Sequence, residues 1–319
     1  MTFIKTHCLT GLTLGVFLFG AQFADGGLEE YSALVVADAS SHGVRPKGSI
    51  RVTYLGVNGY QFEADGHALL VDPYFSRVSF WDATFNNPIQ PNKTRIDQAL
   101  THLRSHADAI LVTHGHFDHL LDVPTVMERT HARLFAGATA INLARSAGVS
   151  RERCKVVRPG STQTVGPWTI RVLDAQHDRL FGKTPFPGNV ATPGRAPEKP
   201  SDWKLGETLA FVIEANGKRI YLDSGGVPGH PPNPIIGHVD LAILGVALPD
   251  SRERFAEAVR QLHPRYVLPS HQDDFFVPLD RGFAFGKMTN FPQLVRINEK
   301  EHLPGRLILL DYFRPWTLR

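Results

Sequence analysis

The chain has no N-terminal apolar run long enough to be an obvious membrane-spanning helix. Residues 9–21 are apolar apart from threonines and glycines, which is shorter than the ~20 residues that a spanning helix needs. Lys5 is the only formal charge before Asp25, a pattern typical of an export signal. We predict that residues 1–24 are a signal peptide, or a signal anchor that contacts a membrane if it is uncleaved. The protein is then exported, to a periplasm or to the outside.

Cysteine is also scarce. The sequence contains two cysteines, and Cys8 precedes the apolar run, so no lipid-attachment cysteine follows that run. Removal of the leader leaves only Cys154, which excludes an intramolecular disulfide.

A basic stripe is absent too. The 34 basic and 31 acidic residues are scattered along the chain and give a net charge of +3, which disfavours nucleic-acid binding. With 42% hydrophobic and 20% charged residues the composition is that of a globular protein. We predict a linker at 25–49 and one domain at 50–319.

Histidine is concentrated in one short run. His114, His116 and His119 lie with Asp118 within six residues, directly after the apolar segment 109–112. Imidazole and carboxylate groups are ligands that zinc and similar cations prefer. The spacing suits a tight loop in which His114 and His116 point in one direction and Asp118 and His119 in another. This run therefore predicts ligands for two metals.

Three more candidate ligands follow strand-like apolar runs. They are His177 after 169–173, Asp223 after 218–222 and His271 after 265–270. Ligands gather beyond the carboxyl ends of strands in sheets flanked by helices, so these side chains are predicted to join the first run. For each histidine taken singly a structural role is the rival interpretation, and for Asp223 a turn before Gly225-Gly226.

These motifs resemble those of the metallo-β-lactamase-fold hydrolases, with the pattern H-x-H-x-D-H, a distant His, a bridging Asp and a final His. All seven positions match, although Leu222 stands where the family often has Gly. Tyr54-Leu55-Gly56, Asp72-Pro73-Tyr74 and the segment 268–275 are similar to the branch with sugar-phosphate lactonases and phospholipase-D-like phosphodiesterases.

The resemblance implies an α/β fold, a four-layer αβ/βα sandwich of two mixed sheets with helices on the outer faces. It also implies that one metal is held by His114, His116 and His177 and a second by Asp118, His119 and His271, with Asp223 bridging them. A hydroxide shared by the two metals would attack a carbonyl or phosphorus centre, and Asp118 would orient it. Zinc is the first choice, and manganese or iron also suit this donor set.

Local patterns predict the elements around these ligands. Asn58-Gly59, Asp65-Gly66 and Asn216-Gly217 indicate hairpin turns. Helices are predicted at 96–104, 123–130, 139–147, 252–262 and 291–300, with a short one at 29–36.

Other residues are candidates for supporting roles. Asp72 is expected to orient a ligand imidazole, with turn capping as the rival interpretation. Candidates for a general acid are Tyr60, Tyr74, Ser224 and His230. The Gly- and Pro-rich segment 182–200 is either a wall over the metals or a disordered insertion, and 227–234 is a second candidate wall.

The function that these features favour is hydrolysis of a small ester, lactone or phosphodiester. An apolar groove would favour a phospholipase-like phosphodiesterase acting at a membrane; its expected residues are Phe181, Phe186, Phe275, Phe276 and Phe283. A narrow polar pocket would favour a lactonase. A metal-binding protein without turnover is the alternative outside enzymes, and an iron redox enzyme is disfavoured because its family members usually carry an extra domain.

Overall fold

A computed structural model describes residues 27–39, 46–232 and 237–319. The predicted leader at 1–24 lies outside these residues, as does part of the predicted linker. The described part of that linker packs on the domain, since Leu28 is buried and Val35 bridges to Leu309. The domain boundaries stay a prediction.

Two seven-stranded mixed sheets form the centre of the fold. The first has the order β14-β1-β2-β3-β4-β5-β6. Its strands are β1 Ile50–Gly56, β2 Gly59–Ala64, β3 His67–Val71, β4 Ala109–Leu111, β5 Arg133–Ala136, β6 Cys154–Val156 and β14 Trp316–Leu318. β3, β4, β5 and β6 run parallel, and the other neighbours are antiparallel.

The second sheet mirrors this arrangement, with the order β13-β12-β11-β10-β9-β8-β7. Its strands are β7 Thr162–Val165, β8 Trp168–Asp174, β9 Leu209–Ala215, β10 Lys218–Leu222, β11 Leu241–Gly245, β12 Tyr266–Ser270 and β13 Arg306–Leu307. Strands β10 to β13 are parallel and β7 to β10 antiparallel. Each sheet thus has a hairpin half and a parallel half, as expected where helices must cross between strands.

The helices cover the outer faces. They are α1 Phe80–Phe85, α2 Lys93–Leu100, α3 Phe117–Leu120, α4 Val123–Thr130, α5 Ala138–Ser146, α6 Pro249–Leu262 and α7 Phe291–Lys300. Apolar side chains fill three layers, one between the sheets and one under the helices on each outer face. This is the predicted four-layer αβ/βα sandwich, which is confirmed. No helix within the described ranges is long and apolar enough to cross a membrane.

The first hairpin turns one residue earlier than the sequence indicates. Gly56 pairs with Gly59 after an irregularity in β1, so Val57 and Asn58 form the turn and Val57 takes φ +56°. Asn58 is thereby buried, and its amide reaches Asp72. The other two predicted turns have positive φ at both central residues, as the type I′ geometry requires.

Candidate metal centre

One group of three imidazoles lies between the two sheets. His114 and His116 follow β4 of the first sheet, whereas His177 follows β8 of the second. Each offers a ring nitrogen, and these atoms all lie within 4.8 Å of one another. Burial, with the neighbouring imidazoles, holds the pKa of His114 and of His116 well below the usual 6.5. Both rings are therefore neutral near pH 7, the form that binds a metal.

A second group adjoins the first. It consists of Asp118 and His119 in the short helix α3 and His271 directly after β12, again with donor atoms within 4.8 Å of one another. Burial raises the pKa of Asp118, but His119 and His271 outweigh this effect and hold that pKa well below 3.8. Burial lowers the pKa of His119, yet the carboxylates of Asp118 and Asp72 raise it to about 10. A metal ion bound by this group would displace one proton from the charged His119 imidazole, which lies between the two carboxylates.

These donors fit divalent metal ions. Six buried or half-buried side chains offer neutral imidazole or ionised carboxylate atoms and no thiolate, a set that suits zinc and also manganese or iron. The Nδ1 atom of His271 is buried and has no hydrogen-bond partner in the described part of the chain. No hydrogen bond at Nδ1 therefore restricts the orientation of the His271 ring.

Asp72 holds the ring of His119 in place. Its Oδ2 lies 2.9 Å from His119 Nδ1, and it also accepts hydrogen bonds from Asn58 Nδ2 at 2.9 Å and Thr113 Oγ1 at 2.6 Å. Its Oδ1 accepts from the Thr113 backbone N–H at 2.8 Å. The carboxylate thus orients an imidazole, as the sequence predicts, and also caps the turn that carries His114, which was the rival role.

Asp223 lies at the predicted strand end but belongs to neither group. It is buried, and its Oδ2 accepts from Arg254 Nη2 at 2.6 Å and from Tyr221 Oη at 2.8 Å. Its Oδ1 accepts from the backbone N–H groups of Gly225 and Gly245 at 3.1 and 3.2 Å. Arg254 of α6 thus neutralises this carboxylate in the structure, and the bridging role stays a prediction.

Sequence reasoning missed the partners of His177. Its Nδ1 donates to the backbone carbonyl of Asp178 at 2.6 Å, and the Asp178 carboxylate accepts from Ser251 Oγ at 2.5 Å. Ser251 lies in the first turn of α6. The carboxylate of Asp178, next to a predicted ligand histidine, was the available signal in the sequence, whereas nothing local points to Ser251.

A second buried network fixes the loop of His271. The backbone N–H of His271 donates to Val57 O at 2.7 Å, and Asp273 forms an ion pair of 2.8 Å with Arg77. Tyr54 Oη and the Val57 N–H also donate to Asp273 Oδ1, at 2.8 and 2.9 Å. The first hairpin and the loop of His271 are thereby joined across the two sheets.

An apolar cavity of about 530 Å³ opens above both groups. Asp118, His177 and His271 contribute to its lining. The remaining walls are mostly apolar and include Phe80, Phe117, Phe181, Phe186, Phe275, Phe276, Leu180, Leu248 and Met288. Four of the five phenylalanines expected in a groove are present; Phe283 is not, because it packs on Phe285 and Tyr312. A larger cavity of about 830 Å³ lies against α4, and none of the candidate ligands lines it.

Ser224 is the one general-acid candidate that lines this cavity. Its hydroxyl is buried and has no hydrogen-bond partner among the described residues. Tyr60 donates to Ser270 Oγ, Tyr74 accepts from the Val78 N–H, and His230 contacts Gln176. These three side chains face other partners.

The Gly- and Pro-rich segment 182–200 reaches the site. The carbonyl of Pro185 lies 3.0 Å from His116 Nε2, and the ring of Phe186 stands edge-on to His116 at 6.0 Å. Both residues line the cavity, so this segment forms a wall. The described residues of 227–234 do not line it.

Comparison with known proteins identifies the family to which the chain belongs. The model of the beta-lactamase superfamily domain matches residues 51–271, which is more than half of the chain and contains all seven predicted ligands. A metal-dependent hydrolase of Rubrobacter xylanophilus is 29% identical over 239 residues, 72% of this chain and 85% of that relative. A metal-dependent hydrolase of a Chelativorans species is 28% identical over 134 residues, and that match covers 42% of this chain and about half of the relative, 51%.

Among solved structures, a metallo hydrolase from the hyperthermophilic archaeon Ignicoccus hospitalis has a TM-score of 0.55 at 17% identity. The match covers 85% of this chain and 99% of that protein, and shows a common fold. The chain therefore belongs to the family of the beta-lactamase superfamily domain and is a metal-dependent hydrolase with the metallo-β-lactamase fold.

Proposed function

We propose that this chain is an exported hydrolase with two metal ions, zinc being the first choice, that cleaves an ester or phosphodiester carrying an apolar group. The observation that carries the proposal is the position of the two ligand groups at the apolar cavity. A lactonase for polar sugar phosphates would need polar walls to bind its substrate. The lining favours the phospholipase-like alternative instead.

The residues would divide the work as follows. His114, His116 and His177 would hold one metal, and Asp118, His119 and His271 would hold the second. Asp223 would bridge them, as the resemblance implies. The metal pair would supply hydroxide at neutral pH and neutralise negative charge that develops on the substrate oxygen.

Asp118 combines binding with orientation. Its carboxylate lines the cavity and stays ionised because His119 and His271 are close. One oxygen can therefore accept a hydrogen bond from the attacking group and direct it towards the substrate.

Ser224 has the geometry of a substrate contact. A buried hydroxyl without a partner gains a hydrogen bond when a polar atom arrives. We assign it the donation of a hydrogen bond to the substrate oxygen that becomes negative. It positions that oxygen and is too weak an acid to protonate the leaving group fully.

The test is the metal content of the mature protein, measured with hydrolysis of 4-nitrophenyl esters and alkyl aryl phosphodiesters of increasing chain length. We expect two equivalents of zinc and a rate that rises with chain length until the cavity is full. Alanine at His116 or Asp118 should remove most activity, whereas His238→Ala, at an exposed histidine, should not. One equivalent or none, with no turnover after reconstitution, would overturn the proposal and favour binding without catalysis.

A further inference from the structure

Large apolar side chains are exposed in and beside the segments that line the cavity. Six are exposed in the described part of the chain, and the isolated one is Val156 on the edge strand β6. The other five we call the aromatic rim: Phe80 (49% exposed), Trp81 (63%), Phe85 (66%), Phe181 (90%) and Met288 (41%). Soluble proteins rarely expose such side chains in a contiguous patch unless the patch binds something.

Helix α1 supplies three members of the rim. None of its six residues is buried. Phe80, Ala83 and Thr84 line the cavity, as their i, i+3, i+4 spacing allows. Trp81 and Phe85, one turn apart, stack at 5.7 Å. One side of this helix therefore belongs to the cavity, and the other presents two aromatic rings to the surroundings.

The other two members of the rim come from outside helix α1. Phe181 is at the tip of a tight turn closed by two backbone hydrogen bonds between Leu180 and Lys183, of 2.9 and 3.1 Å. The carbonyl of Met288 is held by Arg252 at 3.1 Å. Both residues line the cavity, as Phe80 does, so three of the five rim residues belong to its lining.

Charges near the rim are suited to an anionic partner. Lys183 and Lys287 are exposed and lie next to the Phe181 turn and to Met288. The carboxylate of Asp82 in helix α1 accepts hydrogen bonds from Ser79 Oγ and Asn87 Nδ2, which lower its pKa, so it stays ionised. The two lysines outnumber this one negative charge. Aromatic rings beside lysines are the usual composition of segments that bind an interface with anionic lipids.

We propose that the aromatic rim docks on an anionic lipid surface, with the mouth of the cavity facing the lipid. Trp81 and Phe85 insert among the head groups, and the lysines contact the lipid phosphates. Docking does not depend on turnover. The entry of an apolar substrate from the lipid into the cavity does rest on the proposed function.

The test follows Trp81 in the full chain, mixed with vesicles of phosphatidylcholine and phosphatidylglycerol. Trp168 and Trp203 are buried, and Trp316 is half-buried on β14, where it packs edge-on to Tyr266. A vesicle-dependent change at the rim should therefore come from Trp81 and disappear in Trp81→Phe. We expect a blue shift of its emission and quenching by brominated lipid. Both should weaken on pure phosphatidylcholine and at high salt.

A matched pair of variants isolates the rim. Phe85→Ser lies outside the cavity lining and should reduce vesicle partitioning about tenfold, since one aromatic side chain is no longer removed from water. Val156→Ser, also at an exposed apolar residue, should leave partitioning unchanged. Both variants should hydrolyse a soluble short-chain ester at the unaltered rate, which tests the proposed function separately.

Three results would overturn the docking proposal. The first is the absence of vesicle binding. The second is binding that leaves Trp81 emission unchanged, because the contact is then made elsewhere, for example by residues 1–24. The third is a shift of Trp81 emission that grows with protein concentration without lipid, which would identify a second copy of the chain as the partner.

Discussion

At the scale of single residues, Asp72 shows how one carboxylate can connect a strand end with a candidate metal ligand. It is buried, takes φ +40° and has four hydrogen-bond contacts, one of them to His119 Nδ1. A carboxylate on the outer nitrogen of a ligand imidazole fixes the ring and makes it a stronger ligand. Asp72 should therefore affect metal binding without touching the metal.

Asp72→Asn tests this role while it retains the size of the side chain. The zinc affinity of the group that contains His119 should fall about 10- to 100-fold, as is typical for such partners. Titration calorimetry of the metal-free protein would measure it. Asp97→Asn is the control, because that carboxylate is exposed and pairs with Arg129 on the surface. Equal affinities in the two variants would restrict Asp72 to capping the Thr113 turn.

At the scale of elements, the ends of a helix are predictable where the residues of that helix determine them. Helices α4 and α7 begin and end at the predicted residues, 123–130 and 291–300, because each has a proline in its first turn and a clear apolar stripe. Helix α1 escapes prediction because its six residues are too few for an apolar periodicity to be recognised, and none of them is buried.

The ligand positions were predictable for a related reason, since the carboxyl ends of strands converge at one edge of a sheet. Six predicted ligands do come together in two groups. The contacts of Asp223 were not predictable. Its partner Arg254 is 31 residues away, and only the packing of α6 on the second sheet brings the two side chains together.

The ion pair between Arg254 of helix α6 and Asp223 leads to a prediction about stability. Arg254→Met leaves this carboxylate buried without its cation, which should cost about 3–5 kcal/mol of unfolding free energy in the metal-free protein. If Asp223 bridges the metals, bound zinc replaces the missing charge and the deficit shrinks. Urea denaturation with zinc and with chelator measures both values.

The control for this comparison is on the same helix. Arg260→Met removes an exposed pair with Glu301 and should cost less than about 1 kcal/mol in either condition. A deficit of Arg254→Met that is the same with zinc and with chelator would place Asp223 away from the metals.

At the scale of the whole molecule, the two candidate ligand groups each take side chains from both sheets. His114 and His116 extend from the first sheet and His177 from the second; Asp118 and His119 extend from the first and His271 from the second. Each group therefore needs both halves of the sandwich in their native positions. A metal that binds this arrangement and not the unfolded chain stabilises the entire domain.

Zinc removal should thus lower the stability of the whole molecule in one cooperative transition. At free zinc a thousandfold above its dissociation constant, each site adds about 4 kcal/mol to the free energy of unfolding. Calorimetry should show a higher Tm with zinc than with chelator. His177→Ala and His271→Ala each remove the second-sheet ligand from one group, so each should lose about half of the zinc-dependent rise in Tm, whereas His238→Ala keeps all of it. A metal bound by side chains from both sheets cannot stay bound after either sheet unfolds. A Tm that does not respond to zinc, or separate transitions for the two halves, would therefore show that the metals do not hold the sheets together.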